Sequence, residues 1–211
     1  MKATKRIVIL LMIFAITMSM TSCVRFRVNN ISSCGIIDCN IDNYAQKMAD
    51  VYYASEFMPE LSELSEYTNI SYSHTQTLLG LVFFLPMFFS DGIAIWVEYP
   101  EDIYEQKKAD LFESYDFIEE EIYDSDGDLI SPLASFEYKG YQFQADVSEE
   151  YDDYSMCCKS FILVGYSDEL NRIAYLYSYD FDLDWIANAD EDKLSEMHRF
   201  MDEHFYWNDI K

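Results

Sequence analysis

The stretch that decides the fold is IAYLYSYDFDLDW, residues 173–185. Every odd position in it is apolar or aromatic, and alternation with a period of two is typical of a β-strand that buries one face. We therefore predict one long strand with a single buried face. Its inward residues are Ile173, Tyr175, Tyr177, Tyr179, Phe181, Leu183 and Trp185.

The segments before this strand predict more strands beside it. Residues 159–166 are nearly continuously apolar, which favours a central strand. Residues 136–147 predict a hairpin around Lys139-Gly140, with a glycine bulge as the alternative. Adjacent strands of this kind indicate an antiparallel sheet.

The most hydrophobic run after the leader lies at residues 78–89 and is followed by Ser90-Asp91-Gly92 and a second apolar segment. An apolar run interrupted by turn-forming residues predicts a buried hairpin with its turn at residues 90–92. Pro86 should lie at an edge or a bulge, because proline cannot donate to the ladder. The alternative interpretation of residues 78–89 is a patch that inserts into a membrane.

Three segments carry the three- and four-residue spacing of amphipathic helices. They lie at residues 43–58, with Tyr52 among the inward residues, at 100–118, and at 190–207. Together with the strands they predict an α+β fold, mainly an antiparallel sheet with helices packed on one face. In the last helix the predicted inward residues are Leu194, Met197, Met201 and Phe205.

The first residues of the chain have the features of an export signal. A basic start precedes a short apolar block at residues 7–16, and small polar residues follow. The sequence Met20-Thr21-Ser22-Cys23 resembles the lipobox of bacterial lipoproteins. In that family the cysteine is joined to a diacylglycerol and becomes the new N-terminus. The resemblance implies lipidation at Cys23 and a position on the extracytoplasmic face of the cell membrane.

This resemblance divides the chain into three parts: a signal peptide at residues 1–22, a lipid-anchored tether at 23–39 and a single acidic α+β domain at 40–211. Acyl chains such as palmitate anchor a protein stably when more than one is attached. Arg25 and Arg27 would add attraction to anionic head groups. The alternative is an ordinary cleaved signal, or an uncleaved anchor, with Cys23 a bystander.

The charge of the chain is strongly negative. It has 14 basic and 39 acidic residues, a net charge of −25. Without Lys2, Lys5 and Arg6, 11 basic residues stand against 39 acidic ones, a net charge of −28. Such a surface repels phosphate backbones, which excludes nucleic acid as an expected partner. It favours solubility, cationic partners or divalent ions.

Four cysteines remain if Cys23 is lipidated: Cys34, Cys39, Cys157 and Cys158. Disulfides persist outside the cytoplasm, so these residues are expected to be disulfides or free thiols rather than zinc ligands. The sequence does not decide which cysteines pair.

Asp180, Asp182 and Asp184 lie on one face of the predicted last strand, opposite the aromatic residues. Like charges at this spacing either face water or share a cation. We expect solvation; the alternative is a calcium site completed by oxygens of a neighbouring loop. No other cofactor is indicated.

Residues 124–128, Asp-Ser-Asp-Gly-Asp, resemble the opening of an EF-hand calcium loop. The likeness then ends, because Leu129 stands where that loop has glycine and Ser135 where it has the closing glutamate. We therefore predict an ordinary Asp–Gly turn. His74 stands alone in the sequence, and a lone histidine is more often structural.

The aromatic residues Tyr175, Tyr177 and Tyr179, with Trp185, have two interpretations. Flat rings could form a platform for a sugar or a peptide, with the neighbouring acids holding hydroxyl groups. Core packing is the stronger interpretation, because a sheet covered by helices requires one apolar face.

No familiar catalytic motif occurs in the chain, neither a serine-hydrolase elbow nor a metalloprotease or phosphate-binding motif. The sequence therefore predicts a noncovalent binding module that contacts the membrane through its lipid and meets an envelope protein, a cell-wall ligand or a cation. The alternative is a hydrolase of the cell envelope that uses carboxylates or calcium. A purely structural envelope component is the third possibility.

Overall fold

The computed structural model describes residues 24–29, 31–82, 85–147, 160–180, 183 and 185–207. The strands are β1 (Val24–Asn29), β2 (Ile31–Asp38), β3 (Asn69–Val82), β4 (Leu85–Glu98), β5 (Ser135–Tyr138), β6 (Tyr141–Val147), β7 (Ser160–Ser167) and β8 (Arg172–Asp180). The helices are α1 (Tyr44–Asp50), α2 (Ala54–Phe57), α3 (Glu101–Ser114) and α4 (Lys193–His204), and a 3-10 turn at Ile41–Asn43 precedes α1.

All eight strands lie in one sheet in the order β1-β2-β3-β4-β8-β7-β6-β5, and every neighbouring pair is antiparallel. The predicted α+β fold with an antiparallel sheet is confirmed. β4 and β8 are neighbours although they are far apart in the sequence, so their pairing joins the two halves of the chain at the centre of the sheet.

The helices cover both faces of the sheet rather than the one face predicted. In β8, Tyr175 and Tyr177 pack in one buried cluster with residues of α1 and α3. Ala174 and Leu176 point the other way and pack in a second cluster with α4. The polar residues expected to alternate with the aromatics are scarce in this part of β8, which is why the second face can also be buried.

The strand that contains these residues is shorter than predicted. β8 runs to Asp180, and the next described residues, Leu183 and Trp185, are not in a strand; Trp185 is exposed. Asp180 pairs with Ser90, and Tyr179 pairs with Ser160, the first residue of β7. β7 begins at Ser160, whereas β4 continues beyond Ser90 to Leu85 and pairs there with β3.

β3 and β4 are 14-residue strands that pair as one hairpin, from Asn69 with Glu98 to Val82 with Leu85. The predicted turn at residues 90–92 is wrong, because these residues lie inside β4, and the chain reverses between Val82 and Leu85. Pro86 pairs with Leu81 of β3, beyond the last described pair of β4 with β8, which agrees with an edge position. Membrane insertion of residues 78–89 stays a prediction.

The first predicted helix is interrupted. α1 ends at Asp50, and Tyr53 adopts a left-handed backbone with φ of 54° before α2 begins. Tyr52, predicted to point inward, is therefore 54% exposed.

The other two helices are close to prediction. α3 begins after Pro100, and α4 begins after Asp192, whose carboxylate accepts a hydrogen bond from the Ser195 amide. Met197, Met201 and Phe205 are buried as predicted, whereas Leu194 is exposed. Among the described residues, no helix is both long and apolar enough to cross a membrane.

The hairpin around Lys139-Gly140 is confirmed. Tyr138 and Tyr141 pair across it, and both turn residues have positive φ, 50° at Lys139 and 81° at Gly140. Two left-handed residues give the turn the twist that the flanking strands require.

Two parts of the segment predicted as a tether, residues 24–29 and 31–38, form the antiparallel strands β1 and β2 at one edge of the sheet. Val24, Phe26 and Val28 alternate with arginines, a strand-forming pattern that the tether interpretation overlooked. The signal peptide and Cys23 lie outside the described residues.

Candidate functional site

Of the three carboxylates predicted as calcium ligands, only Asp180 is among the described residues. It is 5% exposed, not solvated, because α4 covers its face of the sheet. His204, at the end of α4, brings its Nε2 within 3.5 Å of the Asp180 carboxylate. Asp182 and Asp184 lie outside the described residues, so the calcium site stays a prediction.

The described part of the chain contains no group of three or more His, Cys, Asp or Glu side chains placed to hold a metal ion.

The Asp–Gly turn predicted at residues 124–128 is present. Asp124 Oδ1 accepts from the amides of Asp126 and Asp128, both at 2.9 Å, and Gly127 has φ of 86°. The Asp124 carboxylate is therefore used by the turn itself.

The predicted aromatic row is divided by burial. Tyr175 and Tyr177 are core residues, as the stronger interpretation required, and neither can meet a ligand. Tyr179, the last aromatic residue of β8, is only partly buried and lies beside Asp91, its partner on β4. Of the three tyrosines in the predicted row, Tyr179 is therefore the one that is partly exposed.

A second tyrosine lies over Tyr179. The ring of Tyr52 stands 5.1 Å from that of Tyr179, tilted by 45°. The buried Tyr177 hydroxyl donates to the Tyr52 carbonyl and fixes the segment between α1 and α2 to the sheet. Left-handed backbone at a bulky residue such as Tyr53 costs about 1–2 kcal/mol.

A buried carboxylate lies next to this ring pair. Asp91 Oδ1 accepts from His74 Nε2 at 2.8 Å and from Gln76 Nε2 at 3.0 Å. Directly opposed residues share a face of the sheet, so Gln76, Asp91 and Tyr179 form one row across β3, β4 and β8. We call Tyr52, Tyr179, Asp91, His74 and Gln76 the tyrosine–carboxylate site.

The site is electrostatically negative. Burial raises the pKa of Tyr179, and the neighbouring Tyr52, Asp180 and Asp91 raise it further. An ionised Asp91 accepts from His74, so Nε2 carries a hydrogen. The other ring nitrogen, Nδ1, is buried and has no hydrogen-bond partner among the residues described.

The opposite face of the sheet supports the site from behind. Gly92 lies next to Asp91, and the carbonyl of His204 closes on it so tightly that an alanine Cβ would lie under 3.0 Å from that oxygen. The His204 ring stacks on Phe200, with 3.9 Å between the ring centroids. The end of α4 thus presses on β4 where Asp91 faces the tyrosines.

The exposure of these residues decides what the site can do. His74 is 2% exposed and Asp91 4%, whereas Tyr52 is open to solvent. A ligand in water meets the ring faces first, and the His74–Asp91 pair lies behind them. The arrangement suits noncovalent binding better than proton transfer to a substrate.

Four of the five site residues were not singled out as site residues by the sequence, and Tyr52 was assigned to the core. Their only early signal is the two-residue spacing of His74 and Gln76, which places both on one face of a strand.

Of the four other cysteines, Cys39 is exposed, and Cys157 and Cys158 lie outside the described residues, so the disulfide pairing stays untested.

No protein-family model matches the chain, and neither does any curated protein or solved structure.

Proposed function

We propose that the protein is a lipoprotein anchored by Cys23 at the extracytoplasmic face of a cell membrane, where its acidic domain binds a ligand noncovalently. The observation that carries the binding role is the exposed Tyr52 ring held over Tyr179 beside the buried Asp91 carboxylate. The anchor is supported by the basic start, the apolar block and the lipobox-like residues 20–23.

Three features favour binding over catalysis. The tyrosine rings offer a large, rigid contact surface with few rotatable bonds. The strained backbone at Tyr53 and the Tyr177–Tyr52 hydrogen bond preorganise that surface. The His74–Asp91 pair, by contrast, is screened from solvent, so a hydrolase would have to work with groups elsewhere in the chain.

The anchor is tested by feeding labelled palmitate to bacteria that express the full chain. Wild type should incorporate label and sediment with membranes, whereas Cys23→Ala should do neither. Cys39→Ala is the matched control, since it removes an exposed thiol that follows β2 and should leave labelling unchanged. Equal labelling of wild type and Cys23→Ala would refute the anchor.

The binding role is tested by chemical cross-linking on intact cells. Wild type should capture a partner or ligand that Tyr52→Leu loses. Tyr67→Leu is the control, because Tyr67 is also exposed, at 44%, but makes no part of the site. Equal capture by wild type and both variants would place the contact elsewhere on the protein.

A further inference from the structure

We infer that the tyrosine–carboxylate site takes a cation, namely a primary ammonium group on its ligand. The inference rests on the proposed binding function and adds the chemistry of what is bound.

The first argument is the geometry of the rings. The ring centroids of Tyr52 and Tyr179 are 5.1 Å apart and their planes are tilted by 45°, so the two rings pack against each other, and Tyr52 is 54% exposed. The face of an aromatic ring carries the negative part of its quadrupole and attracts a cation within about 6 Å of the ring centre. An ammonium group at the exposed rim of this ring pair can lie within about 6 Å of both ring centres.

The second argument is the charge behind the rings. Asp91 is buried on the strand next to Tyr179, so water screens its field poorly. A second carboxylate, Glu56 of α2, acts on Tyr177, whose hydroxyl donates to the Tyr52 carbonyl. Both carboxylates favour a positive ligand over a neutral or an anionic one.

His74 is the basic side chain that contacts Asp91. Its Nδ1 is buried and has no hydrogen-bond partner among the described residues. Gln76, the other hydrogen-bond partner of Asp91, carries no charge. The net charge of −25 on the whole chain adds long-range attraction for the same kind of ligand.

The experiment titrates the full chain in nonionic detergent with two ammonium probes, hexalysine and glucosamine, at fixed ionic strength. Their N-acetylated counterparts, which keep the shape and lose the charge, are the matched neutral probes. At least one ammonium probe should bind fivefold or more tightly than its acetylated form. If only hexalysine binds in this way, the ammonium group of the natural ligand belongs to a polypeptide. If only glucosamine does, it belongs to an amino sugar.

Variants locate the binding. Tyr52→Leu should weaken ammonium binding roughly two- to fivefold, the usual effect of an exposed cation–π contact. Tyr52→Phe should retain it, and Tyr67→Leu should leave it unchanged. Asp91→Asn should also weaken binding of the ammonium probes. Because Asp91 is buried, this variant could fail to fold, and Tyr52→Leu then decides the test.

Three results would overturn the inference. Failure of both ammonium probes to bind is one, and equal weakening by Tyr52→Leu and Tyr67→Leu, the sign of diffuse charge attraction, is another. The third is that the acetylated probes bind as tightly as the ammonium probes and that Tyr52→Leu weakens the binding of both kinds. That last result would show that the ligand need not carry a positive charge, but it would still agree with a binding site at Tyr52.

Discussion

Replacing Gly92 with alanine adds one methyl group at the point where the end of α4 meets the centre of the sheet. The new Cβ would lie under 3.0 Å from the carbonyl oxygen of His204 and 3.4 Å from the Phe205 ring. Ordinary contact begins near 3.4 Å, so the carbonyl must withdraw by about 1 Å. Because this oxygen belongs to the backbone, the whole end of α4 has to move.

The cost follows from what that movement disrupts. Overpacking a well-packed site costs typically about 1–3 kcal/mol, and backbone cannot relax as a side chain does, so we expect about 3 kcal/mol here. The displaced end of α4 carries the His204 ring near Asp180 and the Phe205 side chain in the core. Reduced freedom of the unfolded chain returns only about 0.4–1 kcal/mol.

Urea unfolding of Gly92→Ala, followed by circular dichroism, measures this loss as a lower midpoint at unchanged slope. Gly140→Ala is the matched control: its Cβ meets nothing within 4 Å, and its φ of 81° should cost roughly 1–2 kcal/mol through left-handed strain alone. Hydrogen exchange at the Phe205 amide, bonded to Met201, should accelerate in Gly92→Ala only. If Gly92→Ala is as stable as wild type, the end of α4 does not press on β4.

Three further predictions concern charge. Asp146→Asn should raise the free energy of unfolding at neutral pH, because burial raises the pKa of Asp146 and so penalises its ionised form in the fold. The gain should vanish as the pH falls until the carboxyl is protonated in both states, and urea unfolding at several pH values checks this; a gain that persists in acid would contradict it. Asp91→Asn should lower the pKa of Tyr179, measured by ultraviolet titration, and an unchanged value would mean that Asp91 does not act on the site. Arg172→Met should destabilise the protein by about 1–2 kcal/mol, because the partly exposed Glu98, now 2.7 Å from the guanidinium, would lose its hydrogen bonds to it; an unchanged urea midpoint would show that the pair is not needed.

The sequence predicted the elements whose signals are local. The hairpin at Lys139-Gly140 depends on two adjacent residues that tolerate positive φ, and α3 follows a proline that suits a helix start. The α+β class follows from runs of strands between amphipathic helices. These patterns stay visible in the sequence because the neighbours that create them are close along the chain.

The errors arose where distant residues override a local signal. Ser90-Asp91-Gly92 has the composition of a turn, yet Asp91 is bonded by His74 and Gln76 and Gly92 makes room for His204, so the chain stays extended. Burial of both faces of β8 likewise depends on α4, which arrives from the end of the chain.

The candidate site could not be predicted for the same reason. Tyr52 has the spacing of a buried helical residue, and only the left-handed Tyr53 turns it outward over Tyr179. The row of Gln76, Asp91 and Tyr179 depends on the register of three strands, and one sequence does not determine register.

The most direct test of the site is fluorine NMR of the full chain labelled with 3-fluorotyrosine, with resonances assigned by single Tyr→Phe substitutions. On titration with hexalysine, the Tyr52 and Tyr179 resonances should shift together and give one dissociation constant, while those of the exposed Tyr67 and Tyr123 should stay in place. Equal shifts at all four tyrosines, or none at Tyr52 and Tyr179, would contradict the account.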